Sequence, residues 1–331
     1  PSMIYQNMLR LLKKEQLNQI LKSLQRLRLV KNYARGNGGD IDMSANTRFH
    51  RGALRALFLQ MPEKLLRAGL FLAVAMVGAV STAGAADFKT GYMAYQRGDF
   101  AAAAQEWLVL AKAGHTKAQY NLGILFDQGK GVAQDRETAV KWWRQSAESG
   151  FRLAQHNLAN AYIAGDGVAQ SYKDAVLWLE RASEAGLNRS RYTLGKMYHY
   201  GLGVAADAKR AAALYQAAAE TGLDKAQYNL AKAYRDGDGV AQDHALSVRW
   251  FHRAAEQGYA KAQSHLATRY AKGQGVEADA IEAFKWMSLA ARQGHMQARE
   301  NLKVLTSRLT PEQRAEGARL IDRFIPIKEG K

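Results

Sequence analysis

The sequence predicts an all-α solenoid of helical hairpins, and three observations predict it. A 36-residue period runs through the chain, with blocks opening at Ala118, Ala154, Ser190, Ala226, Ala262 and Ala298. Each full block carries Gly-x-Gly-Val, beginning at Gly129, Gly165, Gly201, Gly237 and Gly273, and closes on a second glycine signal at Gly150, Gly186, Gly222, Gly258 and Gly294. All six tryptophans fall in two adjacent columns, Trp142, Trp178, Trp250 and Trp286 in one and Trp107 and Trp143 in the next. A fixed period of this length marks stacked units that bury their apolar faces only against neighbours.

The elements follow in order. Residues 86–117 contain an opening hairpin, Gly91 to Gly114, with a short turn at Gly98-Asp99-Phe100 and Trp107 in its second helix. Within the repeats, the block from Ala226 shows the pattern. Ala226, Leu230, Ala231 and Tyr234 share one helical face, Gly237-Asp238-Gly239-Val240 breaks the periodicity, and Leu246, Trp250 and Ala254 resume it at four-residue spacing. The residue before each second helix is Asp135, Ser171, Asp207, Asp243 or Asp279, all able to accept a bond from the first free amides. Phe126, Tyr162, Tyr198, Tyr234 and Tyr270 form an aromatic column, and Gly123, Ala159, Gly195, Ala231 and Ala267 a small-residue column where another helix must come close. Residues 298–331 read as a cap: Leu302, Leu305 and Leu309 extend a last first-type helix. Thr310-Pro311-Glu312-Gln313 then opens a short helix to about Phe324 with Pro326 beyond it.

These residues resemble the Sel1-like repeat, a relative of the tetratricopeptide repeat, over residues 118–297. The block from Ala226 matches through Ala226, Leu230, Ala231, Tyr234, Gly237, Gly239, Val240, Asp243, Trp250, Ala254, Ala255 and Gly258. Ser190 and Leu214 depart from the pattern in one block and Ser171 in another, with similar size or capping role. The resemblance implies a right-handed α-solenoid, a tetratricopeptide-like opening unit over 86–117, and a scaffold that binds a protein partner on its concave face. It also implies roles in envelope assembly, exopolysaccharide export or control of a sensor's periplasmic domain. Some disulfide-stapled members of the family are associated with β-lactam binding or hydrolysis, but this chain has no cysteine.

Export is expected from residues 61–85. Lys64 and Arg67 precede a charge-free apolar run from Ala68 to Val80, and Ala83-Gly84-Ala85 is a small-x-small cleavage signal. The run is short for a membrane span of about 20 residues, so a signal peptide cleaved after Ala85 is expected, with a periplasmic or secreted product. The alternative is a signal anchor holding the protein in the inner membrane, with residues 1–60 as a basic cytoplasmic tail. Residues 1–60 are basic, with an amphipathic pattern through Leu9, Leu12, Leu17, Ile20, Leu21 and Leu24, and are expected to lie outside the native protein.

Charge narrows the partners. The chain carries a net +17, of which 1–60 hold +8 (11 basic against 3 acidic) and 61–85 hold +1. That leaves +8 on the remainder, 34 basic against 26 acidic, with no basic run interleaved with aromatics. Nucleic acid is therefore not an expected partner; an acidic protein segment or envelope component is compatible. A membrane enters only if the signal segment stays uncleaved.

No catalytic motif, metal site or cofactor is expected. The sequence lacks His-Glu-x-x-His, Gly-x-Ser-x-Gly and a phosphate loop, and Gly-x-Gly-Val lies between helices, not after a strand. Asp236-Gly237-Asp238 lacks the further acidic ligands of a calcium loop. His244 and His252 flank one second helix and read as solvated. A cell-wall-active or hydrolytic protein with a site assembled from scattered residues is the competing class. By alignment with tetratricopeptide solenoids, the inner face comprises positions 3, 7, 10 and 11 of each first helix. Tyr192, Lys196 and His199 in one block and Tyr228, Lys232 and Arg235 in the next are the candidate partner-binding residues, a basic groove with aromatic walls.

Overall fold

The computed structural model describes residues 87–327, which belong to one compact unit. Residues 1–86, with the predicted basic and signal segments, lie outside the described residues, as do 328–331. Fourteen helices and no strands make up the described residues. The opening hairpin is α1 (Phe88–Gln96) and α2 (Phe100–Lys112). Five repeats follow as α3 (Thr116–Gln128) and α4 (Arg136–Glu148), α5 (Arg152–Ala164) and α6 (Tyr172–Glu184), α7 (Asn188–Tyr200) and α8 (Ala208–Ala219), α9 (Asp224–Asp236) and α10 (His244–Glu256), and α11 (Ala260–Lys272) and α12 (Ala280–Arg292). The chain ends in α13 (Met296–Ser307) and α14 (Pro311–Asp322). From α1 to α13 each helix packs against the next in chain order, so the fold is an all-α solenoid.

Short-range chemistry sets the helix ends. The side chains of Asp135, Ser171, Asp207, Asp243 and Asp279 each accept an amide three residues on, over 2.8–3.2 Å. Each such cap stabilises by about 1 kcal/mol. The first glycine of Gly-x-Gly-Val ends the first helix in the left-handed region, as Gly237 does at φ 71° with its N–H on Ala233 O. The second glycine has a further role that spacing did not reveal. Gly203 (φ 74°) and Gly239 (φ 75°) lie against the backbone of Tyr172 and Ala208, the first residues of the preceding unit's second helix. A Cβ there would overlap that backbone, so this glycine is an inter-repeat contact as well as a turn residue.

Side-chain size alternates through the core in matched pairs. A Cβ on Gly123 or Gly195 would overlap the ring of Trp143 or Tyr215 from the paired second helix. Where the small position is alanine (Ala159, Ala231, Ala267), the residue twenty places on is Leu179, Phe251 or Met287, all buried. Close packing makes each pair a fixed volume divided two ways. The outer tryptophan column is covered from its own helices: Arg181 lies over Trp178, Arg253 over Trp250 and Lys285 over Trp286, at 4.6, 4.8 and 4.4 Å from the ring centroids. His252 is not simply solvated; it stands edge-on to Trp286 at 5.5 Å.

A buried glutamine column crosses the repeat boundaries. Gln119, Gln155, Gln227 and Gln263 each donate from Nε2 to the carbonyl eight residues earlier, over 3.1–3.2 Å. Those carbonyls (Ala111, Ala147, Ala219, Ala255) lie in the last turn of the preceding second helix and each also accepts the N–H of the closing glycine, so the glutamine fills a second acceptor position and ties the next repeat to that turn. Gln257 and Gln293 in turn donate to the side-chain oxygens of Gln227 and Gln263.

The far end is closed by α14, which opens with a full capping box between Thr310 and Gln313 and with Pro311 in its first turn. Instead of pairing with α13 as a sixth repeat, α14 packs on α12, where Gly317 lets it approach Phe284. The chain beyond turns back: Phe324 stands edge-on to Trp286 at 5.5 Å, and Ile327 N–H donates to Glu256 O over 2.9 Å.

Candidate functional site

The six predicted residues divide into two roles. Tyr192 and Tyr228 are half-buried and point along the first helices into the next repeat. Tyr192 is hydrogen-bonded to Asn229 and stacks obliquely on Tyr215 at 6.1 Å. The Tyr228 hydroxyl meets His265 Nε2 at 3.3 Å, and its ring lies edge-on to Tyr259 at 5.3 Å. Tyr120 and Asn157 repeat the arrangement upstream. The tyrosines are therefore a polar ladder between repeats, and burial raises the pKa of all three.

His199, Lys232 and Arg235 do come together. They line one pocket of about 190 Å³ with Tyr200, Tyr215, Asn229, Asp236 and Asp238, floored by Ala208, Ala211, Ala212 and Ala233. The pocket spans α7, the first turns of α8 and α9, so no single repeat contains it. Lys196 stands outside it, exposed on the same helix as His199. Tyr200 is 60% exposed at the rim, with the His199 ring edge-on to it at 4.6 Å.

Two carboxylates outside the candidate set alter the electrostatics: Asp236, at position 11 of the inner face, and Asp238, in the turn beyond it. Arg235 grips Asp236 in a two-pronged pair, Nε to Oδ1 and Nη2 to Oδ2, both 2.6 Å. His199 Nδ1 lies 3.1 Å from Asp238 Oδ2, a contact that ties α7 to the turn of the next repeat. The groove is thus a mixed-charge surface, with the half-buried Lys232, partly over the Tyr228 ring at 6.0 Å, and the exposed Lys196 as its further positive contributions. The Asp236 carboxyl is held below its ordinary range first by its bonds from Arg235, then by the charges of Arg235, Lys232 and Arg269. Deeper in, His265 stacks on Phe251 at 5.2 Å and faces Arg235, whose Nη1 lies 3.4 Å from its Nδ1. Burial, then Arg235, Arg269 and Lys232, lower its pKa from 6.5 to about 4. Arg235 can only donate, so Nδ1 accepts and the proton of the neutral ring sits on Nε2.

The same pocket recurs two repeats upstream with different residues. A cavity of about 290 Å³ is lined by Asp127, Arg136, Trp143, Asn157, Asn160, Ala161, Ala164 and Asp166. Each stands 72 positions before a residue of the first pocket, Asp127 before His199 and Asp166 before Asp238. Arg136 bridges Asp166 and Asp127 there. At the junction between these two, Ile163, Tyr172 and Leu202 occupy the corresponding positions and pack on the core.

Neither pocket is lined by a serine, threonine or cysteine that a His-Asp pair could activate. Among the described residues no group of three or more His, Asp or Glu side chains is placed to hold a metal ion. No helix of the described residues is long and apolar enough to cross a membrane.

Hairpin geometry, the glycine turns and the inter-repeat columns define a tandem helical-repeat protein. The family model described as Sel1 repeat matches residues 116–151, 152–187, 189–223, 224–259 and 260–295, and the chain belongs to the Sel1 repeat family. Repeats of this family generally serve as protein-interaction scaffolds. The chain is similar to a Sel1 repeat protein from Oxalobacter formigenes, at 29% identity and TM-score 0.63, covering 71% of this chain and 96% of that one. It is also similar to c5321, described as a protective antigen of uropathogenic Escherichia coli strains displaying an SLR fold, at 29% identity and TM-score 0.65. That likeness covers 93% of this chain and 64% of c5321. No curated protein matches the chain.

Proposed function

We propose that the protein is an exported, non-enzymatic scaffold of the bacterial envelope that holds a segment of a partner protein on its first-helix face. Export rests on the three-part pattern of residues 61–85. Binding rests on the pocket between α7, α8 and α9, because its polar side chains come from two repeats and leave Tyr200 and Lys196 exposed beside it. The predicted recognition of an acidic segment is retained with a change of emphasis: His199 and Arg235 are already paired, so Lys196 and Lys232 carry the attraction and the paired groups supply hydrogen bonds. Exposed ion pairs contribute only about 0–1 kcal/mol each, so apolar contact with Tyr200 must supply part of the affinity. A hydrolytic role finds no serine, threonine or cysteine nucleophile in the pocket lining.

The test is site-specific photocrosslinking in envelope extract with a photoreactive residue at Tyr200 or, separately, at Arg249 on the exposed side of α10. A partner captured from position 200 and not from 249 supports the first-helix face. Capture from 249 alone moves the binding surface to the second helices and ends this reading.

A further inference from the structure

The chain holds an extended segment of its own against the second helices. Beyond α14, Phe324 to Ile327 are not helical and touch both α12 and the end of α10. Phe324 stands edge-on to Trp286, and the Ile327 N–H donates to Glu256 O. Pro326 lies over Gly258, where a Cβ would come within 3.5 Å of its ring. These contacts use features of the repeat: a ring on the second helix, a glycine without a Cβ, and a carbonyl of the last helical turn, which has no partner within its helix. Ile325, between them, is 80% exposed, so the segment is gripped at alternate residues, as an extended chain is.

The same three features stand 108 positions upstream, between α4 and α6, as Trp178, Gly150 and the Glu148 carbonyl. Among the described residues, a Cβ on Gly150 would meet nothing within 4 Å, and Glu148 is exposed where Glu256 is half-buried. Leu177, at the position of Lys285, adds an apolar side chain 44% exposed beside Trp178. The remaining copies are less complete. Between α6 and α8 the ring position is Leu214, and Arg152 reaches to 4.0 Å from the Cβ that Gly186 lacks. Between α2 and α4, and between α8 and α10, the exposed Lys141 and Arg249 take the place of Leu177.

We infer that the α4–α6 groove is a second docking surface, which takes an extended partner segment of the form aromatic-x-proline-x, the pattern the chain itself presents at Phe324–Ile327. The aromatic ring packs at Leu177 and Trp178, where Arg181 lies over the indole at 4.6 Å and offers a guanidinium face for stacking. Proline lies over Gly150 without losing a hydrogen bond, since it has no N–H. The residue after it donates to Glu148 O. This surface belongs to the second helices and is separate from the pocket between α7, α8 and α9.

The probe is a labelled synthetic peptide with the sequence of residues 323–331, titrated into the full chain by fluorescence anisotropy. Saturable binding is expected. It should weaken about tenfold in L177E, and as much when the peptide carries alanine in place of its phenylalanine or its proline. V109E, at a more exposed apolar position on α2, should leave it unchanged. Unchanged helix content in L177E by circular dichroism separates lost recognition from lost fold. No saturable binding up to about 1 mM peptide, or binding that L177E does not weaken, overturns the inference. Binding that survives L177E and tightens in Phe324→Ala also overturns it, by placing the peptide between α10 and α12 in competition with the tail. Self-association of the full chain in analytical ultracentrifugation, lost in L177E, makes the occupant the tail of a second copy and overturns the assignment to a partner. Crosslinking from position 200 is independent of each of these outcomes, so the first-helix reading stands or falls by itself.

Discussion

Gly123 and Trp143 are two halves of one packing unit. The glycine on α3 has no Cβ because the indole of Trp143 from α4 occupies that space, and the same indole N–H donates to Tyr120 O over 3.3 Å. Two repeats on, Gly195 and Tyr215 repeat the arrangement, whereas Ala159 faces the slimmer Leu179 position.

Gly123→Ala is therefore expected to destabilise by about 1–3 kcal/mol through overpacking, although alanine is the better helix former by about 1 kcal/mol. Trp143→Leu should destabilise alone by leaving a cavity. The double variant should be more stable than the sum of the two, because it recreates the Ala159–Leu179 solution. Urea unfolding of all four proteins checks this, and additive losses would show that the pair is not coupled.

Gly203→Val and Gly239→Val should each cost more than the 1–3 kcal/mol expected for strained backbone alone. The added Cβ meets the backbone of Tyr172 or Ala208 and cannot be relieved by a rotamer change. Since stability in a solenoid is passed between neighbours, hydrogen exchange should accelerate most in α6–α8 for the first and α8–α10 for the second. Uniform acceleration along the chain would contradict an inter-repeat role.

Charge reversal at Lys232 and Arg235 is expected to abolish capture of the partner. Reversing Arg235 also faces Asp236 with a like charge, so K232Q/R235Q is the milder companion, expected to weaken capture about tenfold with helix content intact. The comparison pair is Lys141 with Arg249, both exposed on second helices. Arg144 does not serve, because its guanidinium donates to the Tyr162 hydroxyl over 3.0 Å. Equal loss from K141E/R249E would argue for non-specific attraction.

Stability should fall with pH across a defined window. His265 has its pKa lowered from 6.5 to about 4 on folding, so the unfolded chain binds its proton first. Its contribution is complete above about pH 6.5 and is lost as pH falls towards 4, to a limit of roughly 3 kcal/mol. His156, lowered chiefly by burial, acts in the same direction. Asp236 contributes above 3.8 and loses its contribution only below that value, so it does not blur the histidine window. Unfolding of His265→Gln between pH 7 and 4 should show a shallower slope than the parent, and an identical slope would assign the effect elsewhere.

The exported protein is expected to begin at Ala86, after Ala83 and Ala85 have met the small-residue pockets of signal peptidase. Amino-terminal sequencing of protein recovered from the periplasm checks it. Recovery of peptides from residues 1–60 in membrane fractions would favour the anchored form.

The regular pattern set by near neighbours was legible from the residues in order. The period, the hairpin, the caps at Asp135, Ser171, Asp207, Asp243 and Asp279, and the capping box at Thr310 depend on groups within a few positions, and internal repetition supplied independent copies of each signal. Relationships between repeats were decided only by the stacking. His199 meets Asp238 thirty-nine residues on, Gly239 lies on Ala208, and Tyr228 spends its hydroxyl on His265 instead of facing outward. Spacing places these residues on the right helices and turns. It does not say which groups a neighbouring repeat will neutralise, because the angle at which one hairpin leans on the next is the sum of many packing contacts, and a small rotation of a helix turns a wall residue into an interior one.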